Sequence, residues 1–339
     1  MNRIIASILI LIAGLSSAAW GATRKVQYVD TDVVGGAGDG SSWTNAYAGI
    51  ATWEAQNTGL VAANQYLDVY CRGNAVDAPG VLNISGWTTS ATCYINIQMD
   101  PNNPHGGIWN DSLYCLVPVG NYSGRAVYVA MQYTTLDGLQ IADGGTSSTT
   151  VNLSSGNMTL RNCIIKNSSD DGFLGANNGN VHVYNNIIYN CADDGINTNT
   201  APTAGTFYYN NTVSGCADGL VMGRSAGANY IIKNNLSTNN SESDWEWIVG
   251  SGGTVTTAAN YTQDETSPDG ASYQNATITF VGAANFHLAA AMSGTLLGTD
   301  LSGTFTTDID GDTRDSWYAG ADELISSSNI NNWCWRRRN

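Results

Sequence analysis

Aspartates followed by glycine recur in this sequence at a regular spacing. An Asp-Asp-Gly motif ends at Gly172 and again at Gly195, an offset of 195 − 172 = 23 residues, and shorter Asp-Gly motifs end at Gly144 and Gly219. Carboxylates stacked about 5 Å apart repel by about 1 kcal/mol even in water. A hard cation such as calcium relieves that repulsion because it takes carboxylate oxygens as ligands. The candidate metal ligands are therefore Asp143, Asp170, Asp171, Asp193, Asp194 and Asp218.

The same motif also has a purely structural interpretation. Aspartate side chains hydrogen-bond to their own backbone in turns, and glycine accepts the left-handed conformations that tight turns require. A single Asp-Gly is explained by turn chemistry alone. Two consecutive Asp-Asp-Gly copies favour a metal site as much as a turn, so both interpretations stay open at this point.

The motif belongs to a longer repeat. Asn162 aligns with Asn185, and Ile164 aligns with Ile187, at the same offset of 23 residues. A period in the twenties is typical of stacked repeats, because one unit cannot bury its apolar face without its neighbours. The alignment predicts that Ile164, Ile187 and Val213 lie above one another in successive turns, about 4.8 Å apart.

Each copy of the repeat has the composition of short strands. Runs rich in Ile, Val, Tyr and Thr, such as residues 181–184 and 229–232, are broken every few residues by Gly, Asn and Asp. This pattern is typical of strands joined by tight turns. An antiparallel sandwich would not keep a 23-residue register. The sequence therefore predicts an all-β fold, a parallel β-helix.

The N-terminus predicts export. Residues 1–22 contain a positive start at Arg3, an apolar stretch over 4–15 and a small-residue site at 19–21, as secretory signals do. The stretch is too short for a comfortable membrane span, and no other run is apolar enough to be one. We therefore expect a secreted protein, extracellular or at the cell surface, with no membrane-spanning segment.

Residues 49–63 contain the one plausible amphipathic helix, with Ile50, Trp53, Leu60 and Val61 as apolar contacts. Such a helix would cover the first turn, whose strand edges are otherwise unpaired. The predicted organisation is a signal at 1–22, a β-helix domain at 23–325 and a tail at 326–339. Within the domain we expect a cap at 23–64, a repeat core at 65–250, and C-terminal turns with a closing loop at 251–325.

The charge of the chain limits its partners. The formal net charge is −15, and only 12% of the residues are charged. An acidic surface disfavours binding to nucleic acid and to anionic membranes. It would also repel a polyanionic sugar unless a cation lay between the two. The sequence does not indicate an oligomeric state.

The cysteines also follow the repeat in part. Cys191 and Cys216 occupy the same position in aligned copies, which predicts adjacent sulfurs, either as a disulfide or as stacked thiols. Cys71, Cys93 and Cys115 are spaced by 22 residues twice. No pair has the short spacing of a zinc site.

Two segments resemble those of secreted bacterial right-handed β-helix proteins. One is the Gly-Asp-Gly-Ser-Ser-Trp turn at 38–43 with the capping helix after it. The other is the C-terminal series Phe286-His-Leu, Asp-Ile-Asp-Gly-Asp-Thr-Arg314 and Gly-Ala-Asp322-Glu323. The resemblance implies a right-handed coil rather than any one reaction. The alternating aspartates at 308–312 also suggest a calcium loop, but a structural pairing of Arg314 with Asp322 or Glu323 explains them better.

The first Asp-Asp-Gly copy carries a second resemblance. Residues 167–173, Asn-Ser-Ser-Asp-Asp-Gly-Phe, preceded by Ala-Asp-Gly at 142–144, resemble the calcium-binding corner of polysaccharide lyase family nine. The resemblance implies that Asp143, Asp170 and Asp171 bind calcium. The chain departs from the family pattern twice: Leu174 replaces a further aspartate, and Val221 aligns with the catalytic lysine.

A lyase of this type removes the proton next to a uronate carboxyl group, so it needs a cation and a base. Lys166 and Arg224 are the candidate bases. Arginine gives up its proton with difficulty, and Lys166 could equally be an ordinary surface residue. A hydrolase would instead need two facing carboxylates, for which Asp171 and Asp194 are candidates.

Two functions follow from these observations. The first is a calcium-dependent, lyase-like enzyme acting on an acidic, uronate-containing polysaccharide. The second is a non-catalytic protein of the cell surface or matrix that binds glycans or assembles through its long face. The aspartate repeats favour the first, while the missing lysine and the few basic residues favour the second.

Overall fold

Each turn of the chain supplies one strand to each of three parallel sheets. A computed structural model describes residues 21–145, 149–175, 180–198, 205–223, 229–248, 253–292 and 294–324. The described strands form one sheet of nine strands and two sheets of seven, and strands adjacent in a sheet come from successive turns. The predicted parallel β-helix is confirmed. Residues 1–20 of the predicted signal and residues 326–339 of the predicted tail lie outside the described residues.

The strands follow one another around the coil in a fixed order. Sheet I contains Thr23–Asp30, Gln65–Arg72, Ile95–Met99, Thr134–Asp137, Met158–Arg161, Val181–Tyr184, Thr206–Tyr209, Asn229–Lys233 and Thr254–Ala258. Sheet II contains Cys115–Leu116, Gln140–Ala142, Ile164–Lys166, Ile187–Tyr189, Thr212–Ser214, Leu236–Thr238 and Tyr261–Thr262. Sheet III contains Leu82–Ile84, Arg125–Val129, Thr149–Leu153, Phe173–Leu174, Ile196–Thr198, Asp218–Gly223 and Ser243–Ile248.

A few elements lie outside the coil. The strands Phe280–Gly282 and Asn285–Leu288 pair antiparallel. The described α-helices are Ile50–Glu54 and Leu60–Ala63, and the 3-10 helices are Trp43–Asn45, Ala271–Tyr273 and Ala290–Met292. No helix in the part of the chain that the structure describes is long and apolar enough to cross a membrane.

The strand register confirms most of the repeat alignment. Ile164 lies opposite Ile187 on sheet II. The predicted third member, Val213, is wrong by one position, because Thr212 lies opposite Ile187 and Val213 lies opposite Ile188. The two-residue increase from a 23- to a 25-residue period is absorbed elsewhere in the turn, so the sheet register is kept.

A buried row of asparagine side chains joins successive turns between sheets I and II. Asn186 Nδ2 donates to Asn211 Oδ1 at 2.9 Å, Asn211 Nδ2 to Asn235 Oδ1 at 3.0 Å, and Asn235 Nδ2 to Asn260 Oδ1 at 2.8 Å. All four side chains are almost fully buried. Buried amides are stable only when their hydrogen bonds are made, so this asparagine ladder favours one register of stacking.

A second row of asparagines lies just before this ladder. Asn162, Asn185, Asn210 and Asn234 have φ between 48° and 59°, a left-handed conformation that asparagine tolerates better than most residues. Nδ2 of the last three donates to backbone carbonyls of the C-terminal segment at 2.7 to 2.8 Å. The same corner therefore turns the chain and holds the segment that closes the fold.

The C-terminal segment covers the outer faces of sheets I and II. Ile164 and Ile187 point away from the coil interior, yet they are buried against Phe286, Ile309 and Ala321. This packing explains why apolar residues recur on the outside of sheet II.

Arg314 is the buried cation of this segment. It donates to Asn185 Oδ1 at 3.0 Å and lies 3.5 Å from Glu323 Oε2. Of the two predicted carboxylate partners of Arg314, the structure therefore pairs it with Glu323.

The N-terminal cap differs in part from its prediction. The expected helix over residues 49–63 is two short helices, and Ile50, Trp53 and Leu60 are buried as predicted. Val61, however, is 48% exposed, so its predicted contact is wrong. The break between the helices turns Val61 outwards while Leu60 packs into the coil.

The cysteines are buried thiols in the described part of the chain. Cys191 and Cys216 are hydrogen-bonded, which agrees with adjacent sulfurs at one position of the repeat, and this contact raises the pKa of the Cys191 thiol. Cys71 and Cys115 lie on different sheets, so their regular spacing does not stack them.

We expect Asn211→Ala to destabilise the fold strongly. Asn211 Oδ1 accepts from the backbone and side chain of Asn186, and Nδ2 donates to Val183 O and Asn235 Oδ1. Each buried polar group left without a partner costs about 1–3 kcal/mol, so the free energy of unfolding should fall by at least about 3 kcal/mol. Chemical denaturation of the variant and the parent measures this loss.

The matched control is Asn57→Ala, because Asn57 is exposed. Such surface substitutions usually change stability by less than about 0.5 kcal/mol. An equal effect of the two substitutions would contradict the proposed role of the ladder.

Candidate functional site

The repeated aspartates meet at the turn between sheets II and III. Gly172 N donates to Asp194 O, and Gly195 N donates to Asp218 O, both at 2.8 Å. Asp171, Asp194 and Asp218 therefore occupy equivalent positions in three successive turns. Asp193 N donates to Asp170 O at 3.2 Å, which places these two side by side in a parallel row. We call Asp170, Asp171, Asp193, Asp194 and Asp218 the acidic corner.

Glycine follows these aspartates because the next turn leaves no room for a side chain. A Cβ on Gly172 would lie 2.6 Å from Ile188 Cγ2, and one on Gly195 would lie 2.2 Å from Val213 Cγ1. Neither glycine has a positive φ. The left-handed turn expected from Asp-Gly is therefore not the reason for the glycines. Close packing between turns explains the glycines and leaves the aspartates to be explained separately.

Three carboxylates of the corner come within reach of one cation. One oxygen from each of Asp170, Asp171 and Asp193 lies within 4.8 Å of the others. Asp171 is buried while Asp193 is exposed, so the group is open to solvent on one side. Asn197 Nδ2 donates to Asp194 Oδ2 at 2.6 Å and approaches Asp171 Oδ1 at 3.4 Å. The donors are all oxygens, which is the set that calcium prefers.

Burial and mutual repulsion make these carboxyl groups weak acids. Burial, followed by the charge of Asp170, raises the pKa of Asp171 from 3.8 to about 7. Burial, followed by the charge of Asp171, raises the pKa of Asp194 to about 8. Burial and the charge of Asp193 also raise the pKa of Asp170. Without a cation, the corner therefore retains protons close to neutral pH.

The two outer members of the predicted ligand set have other contacts. Asp143 Oδ2 accepts from Ser169 Oγ at 2.6 Å, and its Oδ1 accepts from Gly145 N at 3.0 Å. Asp143 therefore shapes the preceding turn and is not in the group of three. Asp218 Oδ1 accepts from Ser243 N at 2.9 Å, and its charge contributes to the raised pKa of Asp194.

The structure places the predicted base Lys166 beside an aromatic ring. Lys166 Nζ lies 3.8 Å from the centre of the Trp109 ring. Burial lowers its pKa, and the charges that act on it are those of Asp111 and Cys115 rather than those of the acidic corner. Arg224, the other predicted base, lies outside the described residues. Val221, aligned with the family lysine, pairs with Asn197 and Glu246 on sheet III.

Sequence reasoning missed a cation and an amide at this site. Arg125 lies close enough to Asp170 for its charge to lower that carboxyl pKa. Its turn is too divergent to align with the Asp-Asp-Gly copies, so the repeat did not indicate it. Asn197 follows Asp194 by three residues, and only the fold directs its amide back to the carboxylate.

Comparison with known proteins agrees with this fold. Residues 119–266 match the family profile described as "Right handed beta helix region". No curated protein sequence matches the chain. The protein is a right-handed parallel β-helix, as the sequence resemblance implied.

A solved structure named pectate lyase Pel9A covers 90% of this chain and 97% of its own, with 12% sequence identity and a TM-score of 0.33. A likeness of this degree does not transfer that protein's chemistry to this chain.

We predict that the protein loses stability as the pH rises when no divalent cation is present. Asp171 and Asp194 bind protons more tightly in the folded state, so their contribution is fully present below about pH 3.8 and is lost as the pH rises through about 7 to 8. Thermal unfolding in the presence of a chelator, measured from pH 5 to pH 9, tests this expectation.

The double variant Asp171→Asn, Asp194→Asn should show a smaller fall over this range, because asparagine does not titrate. Asp300→Asn is the control, since Asp300 is exposed and its pKa is lowered by Ser302. If the double variant and the parent have the same pH profile, the raised pKa values of the corner are wrong.

Proposed function

We propose that this protein is a secreted, lyase-like β-helix protein that acts on an acidic, uronate-containing polysaccharide with calcium held at the acidic corner. The observation that supports the proposal best is the convergence of Asp170, Asp171 and Asp193 within 4.8 Å of one another. Oxygen-only donors of this kind suit calcium. The two uncommitted repeats of Asp-Asp-Gly in the sequence receive a common purpose in this way.

The residues present fit such an ion. Asp170, Asp171 and Asp193 would hold it, and Asp194 would lie beside it with its carboxylate oriented by Asn197. The ion supplies positive charge that attracts a uronate carboxylate and makes the neighbouring carbon acid stronger. The chain has a net charge of −15, so an acidic glycan would otherwise be repelled.

The base is the weaker part of the proposal. Lys166 keeps its ammonium group over Trp109, where it is not directed at the corner. Arg224 stays a candidate from the sequence. Arg125 is the cation whose charge acts on Asp170, so it is placed to attract an anionic sugar beside the ion. A lyase needs one of these groups to accept the proton next to the uronate carboxyl group.

A second candidate function is supported by the position of Lys166 and by Val221 at the lysine position of the family. In this alternative the protein binds acidic glycans through calcium without cleaving them, as a cell-surface or matrix component. Both functions require the same ion, so calcium binding and catalysis must be tested separately.

We expect millimolar calcium to stabilise the parent protein. A ligand that binds only the folded state adds about 2.7 kcal/mol at a hundredfold excess over its Kd. For a chain of this length that corresponds to roughly a few degrees in Tm. Asp171→Asn with Asp194→Asn should remove most of the shift, as measured by thermal unfolding with and without calcium.

The C-terminal aspartates could produce a similar shift, so Asp310→Asn is the matched control and should keep the response to calcium. A double variant that responds to calcium as the parent does would show that the Asp-Asp-Gly turns are structural, and the lyase proposal would lose its main support.

Catalysis is tested with a panel of uronate-containing polysaccharides. β-Elimination leaves an unsaturated sugar whose ultraviolet absorbance rises as the reaction proceeds. We expect such products only in the presence of calcium, and we expect Asp171→Asn to lower the rate by at least about tenfold, the effect of losing about 1.4 kcal/mol of transition-state stabilisation. Calcium-dependent glycan binding without product would favour the non-catalytic alternative.

A further inference from the structure

A second group of metal-ligating side chains lies under the C-terminal segment, apart from the repeat. His287 is on the strand Asn285–Leu288, Asp310 is in the loop before Gly311, and Asp322 is close to the end of the described chain. One ligand atom from each of the three lies within 4.8 Å of the others. His287 Nε2 is 2.8 Å from Asp310 Oδ2. The group differs from the acidic corner because it contains a nitrogen donor.

The hydrogen bonds of His287 determine which ring nitrogen carries a proton. Asn285 Oδ1 accepts from the backbone N of His287 at 3.2 Å, which identifies that atom as the amide oxygen. The same oxygen is 2.5 Å from His287 Nδ1, so Nδ1 must donate to it. In a neutral imidazole, Nε2 then presents its lone pair to the carboxylate of Asp310. Metal-binding histidines have this arrangement, with the other ring N–H donated to a protein oxygen.

Two negative groups in this cluster have too few positive partners. Among the described residues, no hydrogen-bond donor contacts the buried Asp310 Oδ1. Asp322 is 6% exposed and its Oδ2 accepts from Leu288 N at 2.7 Å. A buried carboxylate oxygen without a partner is costly. Asp310 and Asp322 therefore share one imidazole, which can carry at most one positive charge.

The neighbouring charged groups do not supply the missing charge. Arg314 is paired with Glu323, and it also donates to backbone carbonyls. Asp308 is a further carboxylate, and its oxygens accept from the backbone N of Asp310, Asp312 and Glu323. The buried cluster thus keeps an excess of negative charge.

The other histidine nearby is already committed. His105 Nε2 lies 2.8 Å from the Asn162 carbonyl, to which it donates, and Nδ1 accepts from Gly107 N at 3.0 Å. Gly107 itself covers the cluster, because a Cβ there would lie 2.7 Å from His287 Nε2 and 2.8 Å from Asp310 Oδ1. The backbone of the early loop at 105–107 therefore closes over the group.

We propose that His287 Nε2, Asp310 and Asp322 bind a divalent transition-metal ion of the zinc type, which fastens the C-terminal segment beneath the loop at 105–107. One imidazole nitrogen with two carboxylates suits zinc, whereas calcium prefers oxygens alone. The ion replaces the missing positive charge and gives Asp310 Oδ1 a partner. The three residues are separated by 310 − 287 = 23 and 322 − 310 = 12 positions, so one ion would close two loops of chain.

The test uses the full-length, untagged protein carrying Asp171→Asn and Asp194→Asn, so that the acidic corner does not contribute. After treatment with a chelator, zinc chloride is titrated by calorimetry, and Tm is measured with and without zinc. We expect about one zinc ion per chain and a rise in Tm. Adding His287→Gln or Asp310→Asn should weaken zinc binding at least about tenfold, as losses of metal ligands or their supports do.

The matched control is His182→Gln. His182 stacks on Phe207 on the outer face of sheet I, with ring centres 4.4 Å apart, so its loss should leave zinc binding unchanged. Circular dichroism of each variant checks that the fold is kept. Substitution by cobalt gives a second readout that needs no variant, because nitrogen and oxygen ligands in a closed site produce visible absorption bands.

Two results would overturn the proposal. One is the absence of stoichiometric zinc or cobalt binding to the folded protein, which would make His287 and Asp310 an ordinary imidazolium–carboxylate pair. The other is binding that His287→Gln and Asp310→Asn leave unchanged, which would place the ion elsewhere. Neither result bears on calcium at the acidic corner, since that response is measured in the parent protein.

Discussion

The asparagine ladder between sheets I and II is the interaction on which the rest of the structure depends. Its amides are buried, and each one both donates to and accepts from its neighbours, so a shift of one turn against the next would leave several polar groups without partners. The asparagines that precede the ladder hold the C-terminal segment through their Nδ2 atoms. One corner therefore determines both the stacking of the turns and the attachment of the closing segment.

This stacking has an electrostatic consequence at another corner. Because each turn repeats the position of the last, an aspartate at one turn places Asp171 next to Asp194, and Asp194 next to Asp218. Backbone hydrogen bonds hold the turns together, so the carboxylates cannot separate to reduce their repulsion. They must bind protons or a cation instead. The raised pKa values of Asp171 and Asp194 express the first solution, and calcium would provide the second.

The sequence was informative where a feature depends on the repeat and uninformative where it depends on contacts between distant segments. The alignment predicted that Ile164 lies opposite Ile187, but it could not show that the C-terminal segment buries both. Lys166 has the right type for a base, yet its contact with Trp109 joins residues far apart in the chain. The glycines of Asp-Asp-Gly were assigned to turn geometry, because close packing against the next turn has no separate sequence signal.

The same distinction explains why the two candidate metal sites differ in chemistry. A repeat places the same residue type at equivalent positions, so the acidic corner is built from aspartate alone and offers only oxygen ligands. A site with mixed donors requires a segment that does not repeat. The C-terminal segment provides one, since it brings His287, Asp310 and Asp322 together from three places in the chain. In such a coil we therefore expect hard cations along the rows of the repeat, and nitrogen-ligated metals where a closing segment packs against it.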